Sequence, residues 1–337
     1  MKKALFLIAV AALGSMTAFA QSIDKNELKQ LKTFLAQPSA EAGKTNAEAL
    51  KITDLNSPAT WEGVTVEGKH VTAIKWGDKK LAGTFAATGF SALTTVDVSR
   101  NSITGIDLTG AAALTEVKAQ RNKITSADFE GCGQLQKLDI YRNRLSDIDI
   151  SNTPLLTSFN ASGNLFVEMD VANSVNLKTL NVQGNHLESL NVDGCTALKN
   201  LYAGYNKLTS LSLVGVTSLT NLNIDNNDMS TLIISGLPSL GTLLCADNNM
   251  TSLVVRNCDN LLDLVCSYND LTTLSIDGCP QLQYIDCSYN DLTELTLSGY
   301  NFLQRVICNN NQLQTLDVSF DNQLRFVNCR YNQITEV

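Results

Sequence analysis

Residues 282–297 read LQYIDCSYNDLTELTL. Counted from Asn290, apolar residues stand eight and five positions before it, a cysteine three before, and leucines two, five and seven after. The same frame recurs along most of the chain. Asn101, Asn122, Asn143, Asn164, Asn185, Asn206, Asn227, Asn248, Asn269, Asn290, Asn311 and Asn332 follow one another every 21 residues without a slip. Leu93, Leu114, Leu135, Leu156 and their successors to Leu324 stand eight positions ahead of each. The consensus is L-x-x-L-x-C/V-x-x-N-x-L-T-x-L-x-V. A fixed period of this length marks stacked supersecondary units, each of which needs its neighbours to bury its apolar face.

Each column has a physical reading. Alternating inward residues at −5 and −3 fit a short strand, and copies in register make a parallel sheet on one face. An inward asparagine offers donors and an acceptor to backbone groups that the following turn leaves unpaired. The second alternation, Leu295 and Leu297 in the quoted copy, fits a strand or extended segment on the opposite face. No copy has room for a long helix. Twelve copies at about 4.8 Å give a solenoid roughly 55 Å long.

These motifs resemble leucine-rich repeat proteins. The 21-residue length, the Cys/Val alternative and the second L-x-V are similar to the short bacterial class known as IRREKO repeats. The likeness covers residues 93–337. It implies a curved right-handed stack with the parallel sheet on the concave face, short strands or extended segments on the convex face, and a small α+β N-terminal cap. It also implies a binding role rather than catalysis.

The chain divides accordingly. Residues 1–20 read as an export signal: Lys2 and Lys3, an apolar run from Ala4 to Leu13, and a small-x-small site at Ala18-Phe19-Ala20. The apolar run is too short to span a bilayer, and no later stretch is long enough. The expected location, from this leader, is the periplasm, cell surface or medium of a Gram-negative bacterium. Residues 21–92 form the cap. Asp24 and Glu27 have capping-box spacing ahead of Leu28, Leu31, Phe34 and Leu35, and a second helix is expected over 47–52. Trp61-Glu62-Gly63-Val64 then leads through Glu67-Gly68 to a strand with Val71, Ile74 and Trp76. Residues 93–337 hold the twelve repeats, the last incomplete. Val337 lies inside a repeat, so either the chain continues or that end packs on something, self-association included.

Composition sets limits. Of 337 residues, 44% are hydrophobic and 17% charged, and the net charge is −8, or −10 once Lys2 and Lys3 leave with the leader. An acidic chain without a basic face offers no nucleic-acid footprint. Nine cysteines in an exported protein would ordinarily be read as disulfides. Here Cys245, Cys266, Cys287, Cys308 and Cys329 share one column with Val98, Ile140, Val182 and Ile224, while Cys132, Cys195, Cys258 and Cys279 share another with Thr153 and Val216. Exchange with aliphatics marks them as small core side chains, free as thiols. No C-x-x-C occurs and the histidines are only His70 and His186, so no zinc site is expected. Asp107, Asp128, Asp149 and Asp170 form a column that could either bind calcium or cap turns; capping is the expectation. No G-x-S-x-G, phosphate loop or H-E-x-x-H is present, and no cofactor or catalytic residue is assigned.

The exposed half of the sheet, at −6, −4 and −2 with −1 at the rim, is the candidate binding surface. Tyr141, Tyr202, Tyr205, Tyr268, Tyr284, Tyr289 and Tyr331 fall there, and only Tyr300 does not. The −4 column turns apolar late with Leu244, Val265 and Ile307, and Arg305 and Phe326 share the −6 column with Tyr284. Aromatic, aliphatic and arginine side chains together have the composition of binding hot spots. The −1 tyrosines either bind a ligand or stack on one another. Arg100, Arg121 and Arg142 form a separate rim column; stacked like charges repel, so pairing with Asp97, Glu116 and Asp139 is expected, the other reading being an anionic partner. A protein partner on the concave face is the leading expectation. A glycan, for an adhesin or nutrient-capture protein, is the alternative.

Overall fold

The structure is a computed structural model of the chain, and it describes residues 23–319 and 323–335. The export signal therefore lies outside the described residues. Among those residues no helix is long and apolar enough to cross a membrane.

The chain forms a parallel β-solenoid of about twelve turns with little helix. One 14-stranded sheet runs its whole length on the concave face. Each repeat contributes three residues at −6 to −4, as in Thr242–Leu244, Asp263–Val265 and Tyr284–Asp286, paired parallel and in unshifted register. The middle residue points inward and is buried, its neighbours half-buried, as period-2 alternation requires. The convex face carries shorter sheets. One joins Ala82–Ala86, Ser102–Asp107 and Ser126–Asp128; a second joins Glu168–Asp170 and Ser189–Asn191; a third joins Thr231–Ser235, Ser252–Arg256 and Thr273–Asp277. Residues 147–150, 211–213 and 295–297 interrupt the convex side without strand pairing.

The asparagines hold the turns between the two faces. Asn248 donates from Nδ2 to the carbonyls of Ile224, Cys245 and Ala246, and its Oδ1 accepts from the Met229 N–H. The pattern repeats one turn on: Asn269 donates to Cys245, Cys266 and Ser267 and accepts from Met250. Each amide thus ties its own turn to the one before it. The aspartates at +6 do the same for the convex turns on a smaller scale. Asp107, Asp128, Asp149 and Asp170 each accept from the backbone N–H two residues on. That is the capping role, and among the described residues no group of three or more His, Cys, Asp or Glu side chains could hold an ion.

All nine cysteines are free thiols, eight of them buried. Burial pushes the Cys132 thiol up to about 11 and Cys308 to about 12, and raises Cys245, Cys266 and Cys287 further. A thiol that cannot ionise is a poor nucleophile. Unfolded in denaturant without reductant, the chain should titrate nine thiols. In the native protein an alkylating reagent should reach the half-buried Cys329 well before the other eight. Two missing thiols after unfolding would instead reveal a crosslink.

The cap seals the N-terminal turn. Helix α1 (Lys25–Leu35) starts at Asp24, whose carboxylate accepts from the N–H groups of Asn26 and Glu27. Glu27 does not return to complete a capping box. It is buried and reaches across to the Val71 N–H and His70 Nδ1, both at 2.8 Å, because the hairpin there needs an acceptor. The complete capping box belongs to α2 (Asn46–Ala49), between Thr45 and Glu48, so this helix is shorter and begins earlier than the apolar spacing predicts. Strands β1 (Val64–Glu67) and β2 (His70–Lys75) form the hairpin, and β2 opens the parallel sheet. Phe34 stacks on Trp76 at 6.0 Å and meets Phe85 edge-on at 5.2 Å, joining helix to solenoid.

Candidate functional site

A site on this fold has to be assembled from side chains that the inward columns do not use. Three side chains in the −6 column meet at the C-terminal end of the concave face. Strands Tyr284–Asp286, Arg305–Ile307 and Phe326–Asn328 place Tyr284, Arg305 and Phe326 in register. The Arg305 guanidinium lies 5.7 Å from the Tyr284 ring centre and 4.6 Å from that of Phe326. An arginine held between two aromatic faces keeps its donors outward and loses less freedom on binding. On the rim beside them Tyr268 and Tyr289 stack at 4.3 Å with planes 9° apart. Their backbones are left-handed, with φ of 54° and 55°, which turns the rings away from the core. They stack and stay about half exposed, so the two readings of this column are both physically satisfied by the same pair. Asn310 separates Tyr289 from Tyr331, which stands alone and exposed.

Not every residue marked by the sequence joins this cluster. Leu244 and Val265 are neighbours in the sheet, but Asp286 lies between Val265 and Ile307, so the apolar column is broken. All three are half-buried rather than fully exposed, because flanking strands cover their sides. Tyr284 leans toward Asp286, whose carboxylate is engaged by the Ser288 N–H and hydroxyl. Tyr205 is exposed on the rim without an aromatic neighbour. Tyr300 is buried and donates to the Ile276 carbonyl, a core role.

Tyr141 and Tyr202 belong to the other half. Tyr202 borders a hollow of about 290 Å³ with Glu116, Lys118, Lys137, Asp139, Asn160 and Asn181. Short side chains at Ser158 and Thr179 leave this space above buried Phe159. The hollow escaped the sequence reading, which weighed aromatic residues and not the run of small ones between them. Burial pushes the Asp139 carboxyl up, against the pull of the Tyr141 N–H and Lys118. Tyr141 sits under Arg121: the Arg121 Nε donates to its hydroxyl at 2.5 Å, and the guanidinium lies 5.5 Å from the ring centre.

The expected pairing of the rim arginines does not occur. Among the described residues, no carboxylate lies within 4.0 Å of Arg100, Arg121 or Arg142. Glu116 pairs with Lys118 on its own strand, and Asp97 is taken by the Ser99 N–H and hydroxyl. The carboxylates serve the concave floor and the arginines point off the rim, away from them.

No family model matches the chain, and no curated protein matches it. Solved structures do. The functional domain of InlJ from Listeria monocytogenes, described as including a cysteine ladder, is 24% identical over 75% of this chain, with a TM-score of 0.57. YopM from Yersinia enterocolitica is 24% identical over 74% of this chain, with a TM-score of 0.61. The aligned parts span 64% and 58% of those two chains, under two thirds of each. An internalin, InlF from Listeria monocytogenes, is 17% identical over 95% of this chain and 94% of its own, with a TM-score of 0.58. At such identities the likeness establishes architecture. These neighbours are bacterial leucine-rich repeat proteins, and this chain has their solenoid fold.

Proposed function

We infer that this is an exported, non-catalytic binding protein that engages a protein partner through the C-terminal half of its concave sheet. One observation carries the reading. Tyr284, Arg305 and Phe326 stack across three consecutive turns beside the exposed Tyr268–Tyr289 pair, and the core requires none of them. Such an array is large, partly preorganised and rich in the residue types that dominate binding energy. An open, shallow face suits a macromolecule better than a small substrate, which wants an enclosing cleft. The leader at residues 1–20 supports export.

Replacing Tyr284, Arg305 and Phe326 together with alanine should weaken the partner by at least about tenfold while circular dichroism stays unchanged. The partner comes from pull-down in the native growth environment and is then titrated as a purified protein. Equal affinity for parent and variant would remove these residues from the site.

Glycan binding is the second reading, favoured by the polar hollow around Lys118, Asp139, Asn160, Asn181 and Tyr202. Sugars offer hydroxyl edges to such groups and an apolar face to tyrosine. A glycan array separates the two: specific signal lost on Tyr202→Ala would favour the sugar.

A further inference from the structure

We propose that Arg100, Arg121 and Arg142, extended by Lys123 and Arg144, form a second docking site, separate from the aromatic cluster, for a short acidic segment of a protein. All five side chains are exposed, and among the described residues none lies within 4.0 Å of a carboxylate. They stand on an acidic chain of net charge −8, so their clustering is a local reversal of the general charge.

The free protein bears two costs at the same residues. The repeat demands a left-handed backbone at −1, and the three arginines take it with φ of 54°, 57° and 53°. Glycine or asparagine holds this conformation more cheaply, and other turns use Gly163, Gly184, Asn226 and Asn310 there. The arginines also stand on adjacent turns of a parallel stack, where like charges repel. No internal ion pair offsets either cost. What the structure does provide is support: the Tyr141 hydroxyl and ring hold Arg121, and the stem of Arg142 lies over Gly163, where an added Cβ would stand 3.3 Å from its Cγ. Arg121 and Arg142 are thus steadied with donors to spare.

The occupant's size follows from the length of the track. Three turns at about 4.8 Å span about 10 Å, the reach of about three residues of extended chain at about 3.3 Å each. Past that span the column becomes Gly163 and Gly184, and further along the rim Asp247, Asp270 and Asp291 are exposed. A long sulfated polymer or nucleic acid would run from the arginines into these carboxylates and be repelled. A segment with two or three clustered aspartates or glutamates fits, each carboxylate meeting a guanidinium fork.

The test uses the whole chain and a fluorescent peptide carrying four consecutive glutamates in a Gly/Ser frame. A glutamine peptide is the control, and a sulfated heparin-derived hexasaccharide is the rival. The glutamate peptide should bind at least about tenfold more tightly than the glutamine peptide, and lose at least about tenfold between about 50 mM and about 500 mM NaCl. The combined Arg100→Gln, Arg121→Gln, Arg142→Gln variant should lose that binding and melt no lower than the parent, since the change removes repulsion. If the triple variant fails to fold, Arg121→Gln and Arg142→Gln singly should each weaken the peptide about threefold. The variant at Tyr284, Arg305 and Phe326 should bind the peptide as the parent does, whatever becomes of the concave-face partner. Equal binding of both peptides, tighter binding of the hexasaccharide, unchanged affinity in the glutamine variants, or a folded triple variant that melts lower would each overturn the proposal.

Discussion

Asn248→Ala should destabilise the protein by about 3–5 kcal/mol, more than any single change on the concave surface. The sum is built from four backbone groups. The Met229 N–H has only the Asn248 Oδ1 as acceptor, so the variant leaves a buried donor orphaned, at about 1–3 kcal/mol. The carbonyls of Ile224, Cys245 and Ala246 each lose one bond but keep another, from Asn227, from Asn269 and from the Asn226 N–H. Those losses are smaller, about 0.5–1 kcal/mol each. The same change at Asn332 should cost only about 1–2 kcal/mol, because that amide is half-buried in the last described turn and water can replace it. Urea melts of the two variants decide the matter. Equal losses would mean that the ladder contributes through turn propensity alone.

Trp76→Ala should cost about 3–5 kcal/mol and detach the cap before the solenoid melts. The side chain is fully buried, stacks on Phe34, meets Phe85 edge-on at 6.3 Å, and donates from its indole to the Glu62 carbonyl. It links helix α1, the hairpin and the first turn. In a stack where each unit touches only its neighbours, loss at one end need not spread. Trp61 remains as the single tryptophan and reports on the cap. Its fluorescence should change at lower denaturant than the circular dichroism of the turns. Coincident transitions with the parent's midpoint would refute the assignment.

The repeat made the fold legible. A column of asparagines at 21-residue spacing states the register of every strand, and inward side chains followed from alternation alone. The cap was harder. Glu27 looked local, a partner for Asp24, and is instead a long-range acceptor for Val71, since hydrogen bonds across the hairpin leave no mark in spacing. Site residues were least legible. Column position told which side chains leave the core but not their contacts around the rim. Tyr268 and Tyr289 could be listed as neighbours without showing that they stack. Arg121 could be placed beside Glu116 in sequence order, whereas its side chain turns to Tyr141 and leaves the carboxylate to Lys118.

The interruptions on the convex side bear on how the molecule carries force. Where Ser126–Asp128 and Glu168–Asp170 are separated by the unpaired residues 147–150, the convex ladder is missing, and the backbone bonds that run along the stack are those of the concave strip and its flanking turns, such as Arg144 N–H to the Ile124 carbonyl. Elsewhere two strips share any axial tension; there the concave strip, its flanking turns and the asparagine ties carry it. The solenoid is a spring of uneven stiffness, softest at these three coils, and each candidate docking surface includes one of them: Arg142 and Arg144 share a turn with 147–150, Tyr284 and Tyr289 one with 295–297.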